Sequence, residues 1–587
     1  MNTSAAIPEY RGNITPEFVA MAVDHYQRYK ADMSDYRNKV RENDKWYKCN
    51  YATAVKPGTN EPGPATAFIS NAIFSRYADF IDNYPAPNIL ERAPADSEAA
   101  KKLSDIIPVI LELAEFKRKY KRNCYNKMKN GAGIYGIFCD EETSEIQITV
   151  VDVMDFFCDI HVEDIQDSRF IFVRNAVDNE KLRSLYPRYS ALFEGDCSIE
   201  GRAGTYTAAE RTEITDCYYK KLDGSVHMMK LVNDSIVIDA TEDIPGYENG
   251  MYDHKLYPFV VDTMYPDDDN LMGFSLIDIT RNPQMYVDKL DAAILKNAML
   301  SSHPRFLVKD SGGINRKELT DMSNEVISSA TDVDEKNIRM LQINSLPSFV
   351  REHRERKIDE LKEIAGNRDW NNGGTSNGVV AASAIEALQT SGQKLSRANI
   401  DDTYDSYKQI VYMVVELVRQ FFRREKTYRI TDESGRKQFI SFSGKEMYSH
   451  DTDIFGFPDG ELRRAEYDIQ VVAQKENPYT RETNNQTINA LWAQGYFLPD
   501  NMPISVFVLK AMNFDGRDRL IESMQEYMDK QERMKSAAEA QQEQEFPAGP
   551  QQAQGAGGAE LLEESDLIPL PTSAPDAGSE IIPIAQL

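Results

Sequence analysis

The sequence is poor in cysteine, and the cysteines it has are dispersed. Only six occur among 587 residues, and no two of them form a Cys-x-x-Cys pair. Cysteines paired at short spacing are typical of zinc sites and of small disulfide-bonded domains. We therefore expect neither, and scattered thiols are typical of a reducing cytoplasm.

Signals for membranes and export are also lacking. The most apolar stretch, residues 410–422, is too short to span a bilayer and contains Glu416 and Arg419. The first residues contain no basic segment followed by an apolar one, so no secretory signal is expected. These features predict a soluble intracellular protein with no membrane partner.

The chain has fewer basic than acidic residues. The chain has 67 Lys and Arg against 94 Asp and Glu, which gives a net charge of −27. Proteins that hold nucleic acid tightly neutralise its phosphates with clustered Lys and Arg, so this composition argues against such a protein. It does not exclude a protein past which DNA slides.

The motifs of common enzymes are absent or lie in the wrong context. Gly131–Gly136 matches Gly-x-Gly-x-x-Gly, but a helical pattern precedes it and strands follow, the reverse of a dinucleotide-binding fold. Gly312–Lys317 lacks the spacing and the final Ser or Thr of a P-loop, and Asp267–Asn270 lacks the spacing of a calcium loop. We therefore expect no enzyme, no cofactor and no metal site.

The patterns that are present predict a protein of the α+β class. Helical spacing occupies three segments of the first third: 15–47, 68–81 and 97–129. Thr15 and Pro16 form a helix start signal. Strand patterns begin at residue 134, and those at 215–222, 226–231 and 236–238 predict a meander.

The middle of the sequence predicts two helices around a β-containing insertion. Asn282 and Pro283 begin a helix that ends near Ser301. Strand signals lie at both ends of the insertion, at 305–308 and 338–343. A second helix of similar length then covers 349–365 and is stopped by a glycine. Such a hairpin-shaped projection is seldom needed by a single globular enzyme core.

The second of these helices has a divided surface. Arg351 with Glu355 and Glu352 with Arg356 are spaced four residues apart, which favours an exposed charged face. One narrow apolar line remains: Val350, Ile358, Leu361 and Ala365. This arrangement predicts a helix that packs against one neighbour and is otherwise in solvent.

The last part of the sequence contains a predicted loop, further helices and strands, and a tail of different composition. Residues 369–378 are rich in turn formers and predict a loop, and helical spacing resumes from Val379 to Glu425. Further elements are predicted as strands at 428–442 and 467–473 and helices at 477–494, 504–512 and 517–536. From Ala537 the composition of Gln, Ala, Gly, Glu and Pro predicts a disordered acidic tail.

The strongest basic cluster is Lys117–Arg122, with Tyr120 inside it. An aromatic residue among cations is typical of nucleic-acid-binding surfaces. A solvated helix face that pairs with acidic neighbours explains the same residues, and we favour that interpretation.

Three successive segments resemble characteristic elements of the portal proteins of tailed double-stranded DNA bacteriophages. Gly273–Gln284 with its following helix is similar to that family's passage into the first stem helix, and Phe349–Ala365 is similar to the other stem helix. Asn371–Gly378, leading into Val379–Gln389, resembles the family's tunnel loop and the helix behind it. The resemblance covers most of residues 15–535, and the glutamine-rich tail departs from it.

The resemblance implies an elongated portal-type subunit with wing, helical stem, β-containing clip, long wing helix and helical crown, assembled into a ring. The implied divisions are 1–272 for the N-terminal wing, 273–303 for the first stem helix region, 304–346 for the clip, 347–368 for the second stem helix, 369–378 for the tunnel loop, 379–476 for the long helix and C-terminal wing, 477–536 for the crown and 537–587 for the disordered tail.

The implied function is a channel, usually of twelve subunits, at one capsid vertex of the virion. It serves genome packaging, retention and ejection, and it is assembled in the host bacterial cytoplasm. The implied partners are double-stranded DNA as cargo, the terminase large subunit, the major capsid and scaffolding proteins, and the head–tail connector. The acidic charge fits a channel that repels phosphates and keeps DNA mobile.

The resemblance also implies sites. The tunnel loop would place in the channel Trp370, Asn371, Asn372, Gly373, Gly374, Thr375, Ser376, Asn377 and Gly378. The candidates for channel-facing stem residues are Arg351, Arg354 and Lys357. The candidates for terminase or connector docking in the clip are Arg305, Lys309, Arg316, Lys317 and Arg339.

Two other functions stay open at this point. A capsid-associated scaffolding or adaptor protein without a channel would have an acidic tail of this type. A nucleic-acid-processing enzyme of the packaging machinery would need a P-loop or clustered metal-binding carboxylates, and the sequence has neither.

Overall fold

The computed structural model describes residues 12–51, 65–140, 143–302, 305–308, 338–341, 346–366, 394–431, 437–452 and 458–475, with single positions between 489 and 533. The chain divides into two compact units, Met1–Thr483 and Asn484–Leu587. The described positions of the second unit are helical, which is the state predicted for them. All elements named below belong to the first unit.

The helices of the first unit, within the described residues, are α1 Pro16–Asp32, α2 Ser34–Tyr47, α3 Phe68–Asp82, α4 Ser97–Leu113, α5 Phe116–Asn130, α6 Asn179–Leu185, α7 Leu276–Ser302, α8 Ser348–Ala365 and α9 Lys394–Phe421. The strands are β1 Asn83–Glu91, β2 Ala132–Cys139, β3 Ile146–Val151, β4 Phe156–Cys158, β5 Phe170–Asp178, β6 Cys197–Gly201, β7 Gly204–Ala208, β8 Arg211–Lys220, β9 Val226–Val232, β10 Ile236–Ala240, β11 Phe259–Thr263, β12 Arg305–Val308, β13 Ile338–Leu341, β14 Lys426–Thr431, β15 Lys437–Phe442, β16 Tyr448–Thr452, β17 Pro458–Arg464 and β18 Tyr467–Lys475. The α+β class is confirmed.

Two segments predicted as single helices are each broken into two. Thr15 caps α1 as predicted, because its Oγ1 accepts a hydrogen bond from the Phe18 amide at 3.4 Å. Fully buried Met33 then separates α1 from α2. Between α4 and α5, Glu115 adopts the left-handed region at φ 53°, which ends the helical hydrogen-bond ladder. Neither break contains the glycine or proline that would have revealed it in the sequence.

The sheets are antiparallel. A five-stranded sheet of order β10-β9-β8-β5-β4 contains the predicted meander, which is confirmed. α1 covers this sheet, and the Tyr26 ring lies 5.2 Å from Phe157 and 4.9 Å from Phe172. A three-stranded sheet has the order β11-β2-β3. β1 pairs with β18 along their whole lengths, so the strand that follows α3 shares a sheet with the last described strand of the unit.

The main core forms around α9. The helical spacing predicted there becomes a stripe of buried side chains: Tyr407, Ile410, Val411, Val414, Leu417, Val418 and Phe421. This stripe packs against α3, α4, β1, β2, β11 and β18. The core therefore places α9 at the centre of the unit, with its first residue, Lys394, leading out of the predicted loop region.

α7 begins earlier than predicted. The sequence favoured a start at Asn282 and Pro283, but the helix extends over Leu276–Ser302 with Pro283 inside it. Ser275 caps the helix, since its Oγ accepts from the Asp278 amide at 3.2 Å while the Asp278 carboxylate accepts from the Ser275 amide at 2.8 Å. This reciprocal cap stabilises a helix start before Pro283. It does so although the proline has no amide hydrogen to donate to the helical hydrogen bonds.

The rest of the predicted projection is confirmed where it is described. α8 ends at Ala365, and Gly366 directly after it adopts the left-handed region at φ 69°. β12 and β13 pair from Arg305↔Leu341 to Val308↔Ile338. The predictions that lie outside the described residues are the loop at 369–378, the helical segment 379–393, Lys309, Arg316 and Lys317 of the insertion, most of 477–536, and the tail from Ala537.

Candidate functional site

The predicted stem helices, α7 and α8, lie side by side and antiparallel. Arg354 of α8 forms a two-pronged ion pair with Asp291 of α7, and its Nη2 donates to Asp291 Oδ2 at 3.1 Å. One turn further along, Ile294 and Val350 line a shallow cavity of about 320 Å³ between the helices. The pair therefore carries one packed seam, and most of the described side chains in the second half of α7 are exposed outside this seam.

The first half of α7 is anchored in the body by a buried polar network. Gln284 accepts from the Ile69 amide at 2.9 Å, and its own amide group donates to the Tyr51 hydroxyl at 3.1 Å. The carboxylate of Asp288, which is 2% exposed, accepts from the Tyr51 hydroxyl and from the amide and hydroxyl of Thr66 at 3.2 and 3.0 Å. Burial raises the pKa of Asp288, although these donors oppose the shift.

The cap of α7 belongs to the same anchorage. The side-chain amide of Asn43 on α2 donates to Ser275 Oγ at 3.0 Å and to Asp278 Oδ1 at 3.2 Å. Arg281, one turn along α7, pairs with Glu42 at 3.0 Å. Contacts from α2 therefore fix the start of α7. The sequence did not reveal these contacts, because the partners lie more than 230 residues apart.

The apolar line predicted on α8 is confirmed. Leu361 and Ala365 are buried, and Val350 and Ile358 are half-buried. The charged residues between them are mostly exposed. The end of α8 also touches α3, so the helix passes from its contact with α7 into the body.

The three predicted channel-facing residues have different surroundings. Arg354 is engaged by Asp291, and this hydrogen bond raises the pKa of Arg354. Lys357 pairs with Glu360 at 2.6 Å within α8. Arg351 is exposed and lines the cavity beside α7. Among these three, Arg351 has the most exposed position for contact with a ligand.

Sequence reasoning missed two cations on the other helix. Lys289 and Lys296 are both exposed on α7, and their spacing of seven residues places them on one face. The Lys289 ammonium lies 5.5 Å from the centre of the Tyr286 ring. The sequence contained the information to find them, because two lysines seven residues apart in a predicted helix share a face.

Apolar side chains are exposed on the same helix pair. Leu295 and Met299 of α7 are 49% and 56% exposed, and Phe349 at the start of α8 is 65% exposed. We call these three residues the apolar edge. Leu295 and Met299 lie one turn apart on α7, and exposed apolar side chains that share a face are typical of surfaces that contact a partner.

The strands of the predicted clip bring two of its five candidate residues together. Arg305 is paired in register with Leu341, and Arg339 lies two residues before Leu341 on the same strand. Because alternate residues of a strand lie on one face, positions 305 and 339 share a face of this two-stranded ribbon.

The basic cluster on α5 has local partners. Arg118 pairs with Glu115 at 2.9 Å, and Lys119 donates to the Ala114 carbonyl at 2.6 Å. Lys117 lies over the ring of Tyr84 at 5.4 Å. These contacts favour the interpretation as a solvated helix face over that as a nucleic-acid site.

Two motifs that could indicate a dinucleotide site or a metal site have structural roles instead. Gly131 ends α5, and Gly133 and Gly136 lie in β2, so the Gly-x-Gly-x-x-Gly segment is a helix-to-strand turn as predicted. Asp267–Asn270 forms a turn closed by the Asn270 amide and the Asp267 carbonyl at 3.2 Å. Within the described part of the chain, no three His, Cys, Asp or Glu side chains are grouped to hold a metal ion. No helix described there is both long and apolar enough to cross a membrane.

The chain matches the family described as "Phage P22-like portal protein" over residues 77–224 and 222–565. Comparison with curated proteins gives no match. The family match takes in the five-stranded sheet, both helices of the projection, the strands between them and α9. With most of its length matched, the chain belongs to the phage P22-like portal protein family.

Proposed function

We propose that the chain is the subunit of a ring-shaped channel at one capsid vertex, through which the double-stranded DNA genome is packaged, retained and ejected. The observation that carries this proposal is the α7–α8 pair. It is fixed to the body at one end by Gln284 and Asp288, and it bears a β ribbon at the other. We propose the divisions into wing, stem, clip, tunnel loop and crown with the boundaries given from the sequence.

The apolar edge supports assembly with further copies of the same chain. Its three side chains would stay in water in a monomer, which costs free energy in proportion to their exposed area. In a ring of about twelve, the neighbouring subunit would cover them. The edge lies on the helix pair, so the channel wall would be made of alternating α7 and α8 helices.

The distribution of charge supports a channel that does not hold its cargo. A subunit with a net charge of −27 repels the phosphates of DNA, and strong binding would stop translocation. Lys289, Lys296 and Arg351 are exposed cations on the proposed stem, and a sparse ring of them would centre the duplex. We propose that residues 370–378, which follow α8 in the chain, contact DNA as the tunnel loop.

The clip is the proposed docking surface for the terminase large subunit and later for the head–tail connector. Positions 305 and 339 share one face of the ribbon, and Lys309, Arg316 and Lys317 lie between its strands in the chain. The terminase would supply the ATP hydrolysis. Major capsid and scaffolding proteins would contact the wing during assembly in the host cytoplasm.

Electron microscopy of the purified protein tests the proposal. We expect rings with a central hole, and no hydrolysis of nucleotide by the rings alone. Monodisperse monomers with ATPase or nuclease activity would indicate an enzyme of the packaging machinery instead. Assemblies without a hole would indicate a scaffolding or adaptor protein.

A second experiment tests the tunnel loop. Deletion of residues 371–374 should leave ring assembly intact and should reduce DNA packaging and retention. If packaging and retention in assembled rings were unchanged, residues 370–378 would not have the proposed role.

A further inference from the structure

One arginine side chain in the interior joins two segments that are far apart in the sequence. Arg76 lies on α3 and is 3% exposed. Its Nε donates to the carbonyl of Ala365, the last residue of α8, at 3.0 Å. Its Nη1 donates to the hydroxyl of Ser396 in the first turn of α9. The two partners lie 289 and 320 residues from Arg76.

A second residue of α3 completes the contact. The Ser396 hydroxyl donates to Asp79 Oδ2 at 2.5 Å, so Ser396 lies between the guanidinium and a carboxylate one turn along the same helix. The end of α8 and the start of α9 are therefore both held by a single turn of α3. The chain between them is residues 367–393.

The approach of the backbone to Arg76 is unusually close. Gly366, which follows α8, adopts φ 69°, and a Cβ atom at this position would lie 2.4 Å from Arg76 Nη2. The backbone angle therefore favours glycine here, and a Cβ atom would force the Arg76 guanidinium to shift from its acceptors. A buried guanidinium that lost its acceptors would bear a large desolvation cost, so Arg76 stabilises the contact of α8 and α9 with α3.

We propose that Arg76 is a positioning residue that holds both ends of segment 367–393 at one place on α3. This inference rests on the proposed function, since that segment contains the proposed tunnel loop. The loop would then be set relative to the body by α3, and not by the stem alone. We call this pair of contacts the clamp. Arg76 binds α9 through Ser396 and α8 through Ala365.

Amide hydrogen exchange on the assembled full-length protein tests the clamp. Arg76→Met should increase exchange about tenfold or more in peptides from both the end of α8 and the start of α9, because both lose their anchor. Ser396→Ala removes one of the two contacts only, so faster exchange should be confined to the start of α9. This milder variant keeps the test informative if Arg76→Met fails to fold.

Matched controls separate the clamp from general destabilisation. Arg28→Met removes an exposed arginine of α1 that pairs with Asp24 at 2.6 Å, and Ser301→Ala removes an exposed hydroxyl at the end of α7. Neither should change exchange in the two peptides. If Arg76→Met left both peptides unchanged, or if Ser396→Ala affected both equally, the clamp would be wrong.

DNA packaging by the same variants tests the functional part. Rings of Arg76→Met should form normally and should package or retain several-fold less DNA, with Arg76→Lys partly restoring both. Faster exchange with undiminished packaging would overturn the positioning role in DNA handling. The proposed channel itself is judged separately, by the presence of rings in micrographs.

Discussion

A buried ion pair ties the centre of the unit together at the level of single residues. Lys127 of α5 and Asp262 of β11 are 0% and 1% exposed, and their charged atoms lie 2.8 Å apart. The same ammonium donates to the hydroxyl of Thr403 on α9 at 2.5 Å. Burial raises the pKa of Asp262, and the charge of Lys127 opposes this shift. Three elements thus meet at one cation.

Removal of one partner of this pair should be strongly destabilising. Asp262→Asn would leave a buried ammonium without its counter-charge, and we expect a loss of about 3 kcal/mol in the free energy of unfolding. Asp405→Asn is the matched control, since Asp405 pairs with Lys408 at 2.7 Å in solvent, and it should cost less than about 1 kcal/mol. Urea unfolding at one protein concentration measures both. Equal losses would contradict a special role for the buried pair.

His254 makes stability depend on pH. Burial and the nearby Lys220 lower the pKa of His254 to about 4. The Leu256 amide donates to its Nδ1 at 2.9 Å, which requires that nitrogen to be unprotonated. The folded protein therefore favours the neutral ring.

The pH window follows from this direction. The contribution of His254 is fully present above the unfolded pKa of about 6.5, and it is lost as pH falls toward 4, by up to about 3 kcal/mol. His254→Asn should lose less stability than the wild type between pH 7 and pH 4.5 in urea unfolding. His161→Asn, at an exposed position in a turn, should behave as the wild type does. Parallel pH profiles for all three would show that His254 does not titrate in this window.

At the level of elements, the junction before α7 depends on one glycine. Gly273 adopts φ 59°, and a Cβ atom there would lie 2.1 Å from the carbonyl oxygen of Tyr265. The rings of Tyr265 and Phe274 stack beside it at 5.1 Å. The close approach of these two segments brings the chain to Ser275, where the cap of α7 begins.

Gly273→Ala should therefore destabilise the junction more than backbone strain alone does. We expect a loss at least about 2 kcal/mol greater than that of Gly195→Ala, where φ is 90° but a Cβ would meet nothing within 4 Å. Thermal unfolding measures the two variants side by side. A similar loss for both would mean that the Tyr265 contact relaxes without cost.

At the level of the whole molecule, the apolar edge should decide assembly. Leu295→Ser with Met299→Ser should weaken the association of subunits by about 1 kcal/mol per side chain. Leu222→Ser is the matched control, because Leu222 is fully exposed in the turn between β8 and β9. Sedimentation of the variants measures the fraction in rings. Rings of unchanged stability in the double variant would place the subunit interface elsewhere.

The exposed cations of the proposed stem should act on DNA and not on assembly. Lys289→Gln with Lys296→Gln should leave ring formation unchanged and reduce retained DNA about threefold or more, since each ring loses two sets of phosphate contacts. Lys408→Gln, at an exposed position of α9, is the control. The DNA content of particles measures the effect, and an equal change in the control would indicate general charge and not position.

Local patterns predicted much of this protein. α8, its stop at Gly366, the β12–β13 pair and the meander all followed from spacing and turn residues, because these depend on neighbours in the chain. β16 and β17 were not predicted. Of the candidate site, the position of Arg354 on the second helix of the pair was predicted, but its pairing with Asp291 was not, since the two residues lie on different helices.

The sequence by itself therefore determined the α+β class, the order of the helices and strands that local patterns predicted, and the acidic charge of the chain. Only the tertiary structure decided where α7 begins, because Asn43 stabilises its cap from another helix. Only the tertiary structure also decided the contacts of Arg76, because its acceptors at Ala365 and Ser396 lie on helices that follow it by hundreds of residues. Helical propensity is a property of adjacent residues, whereas such contacts exist only once distant segments have packed together.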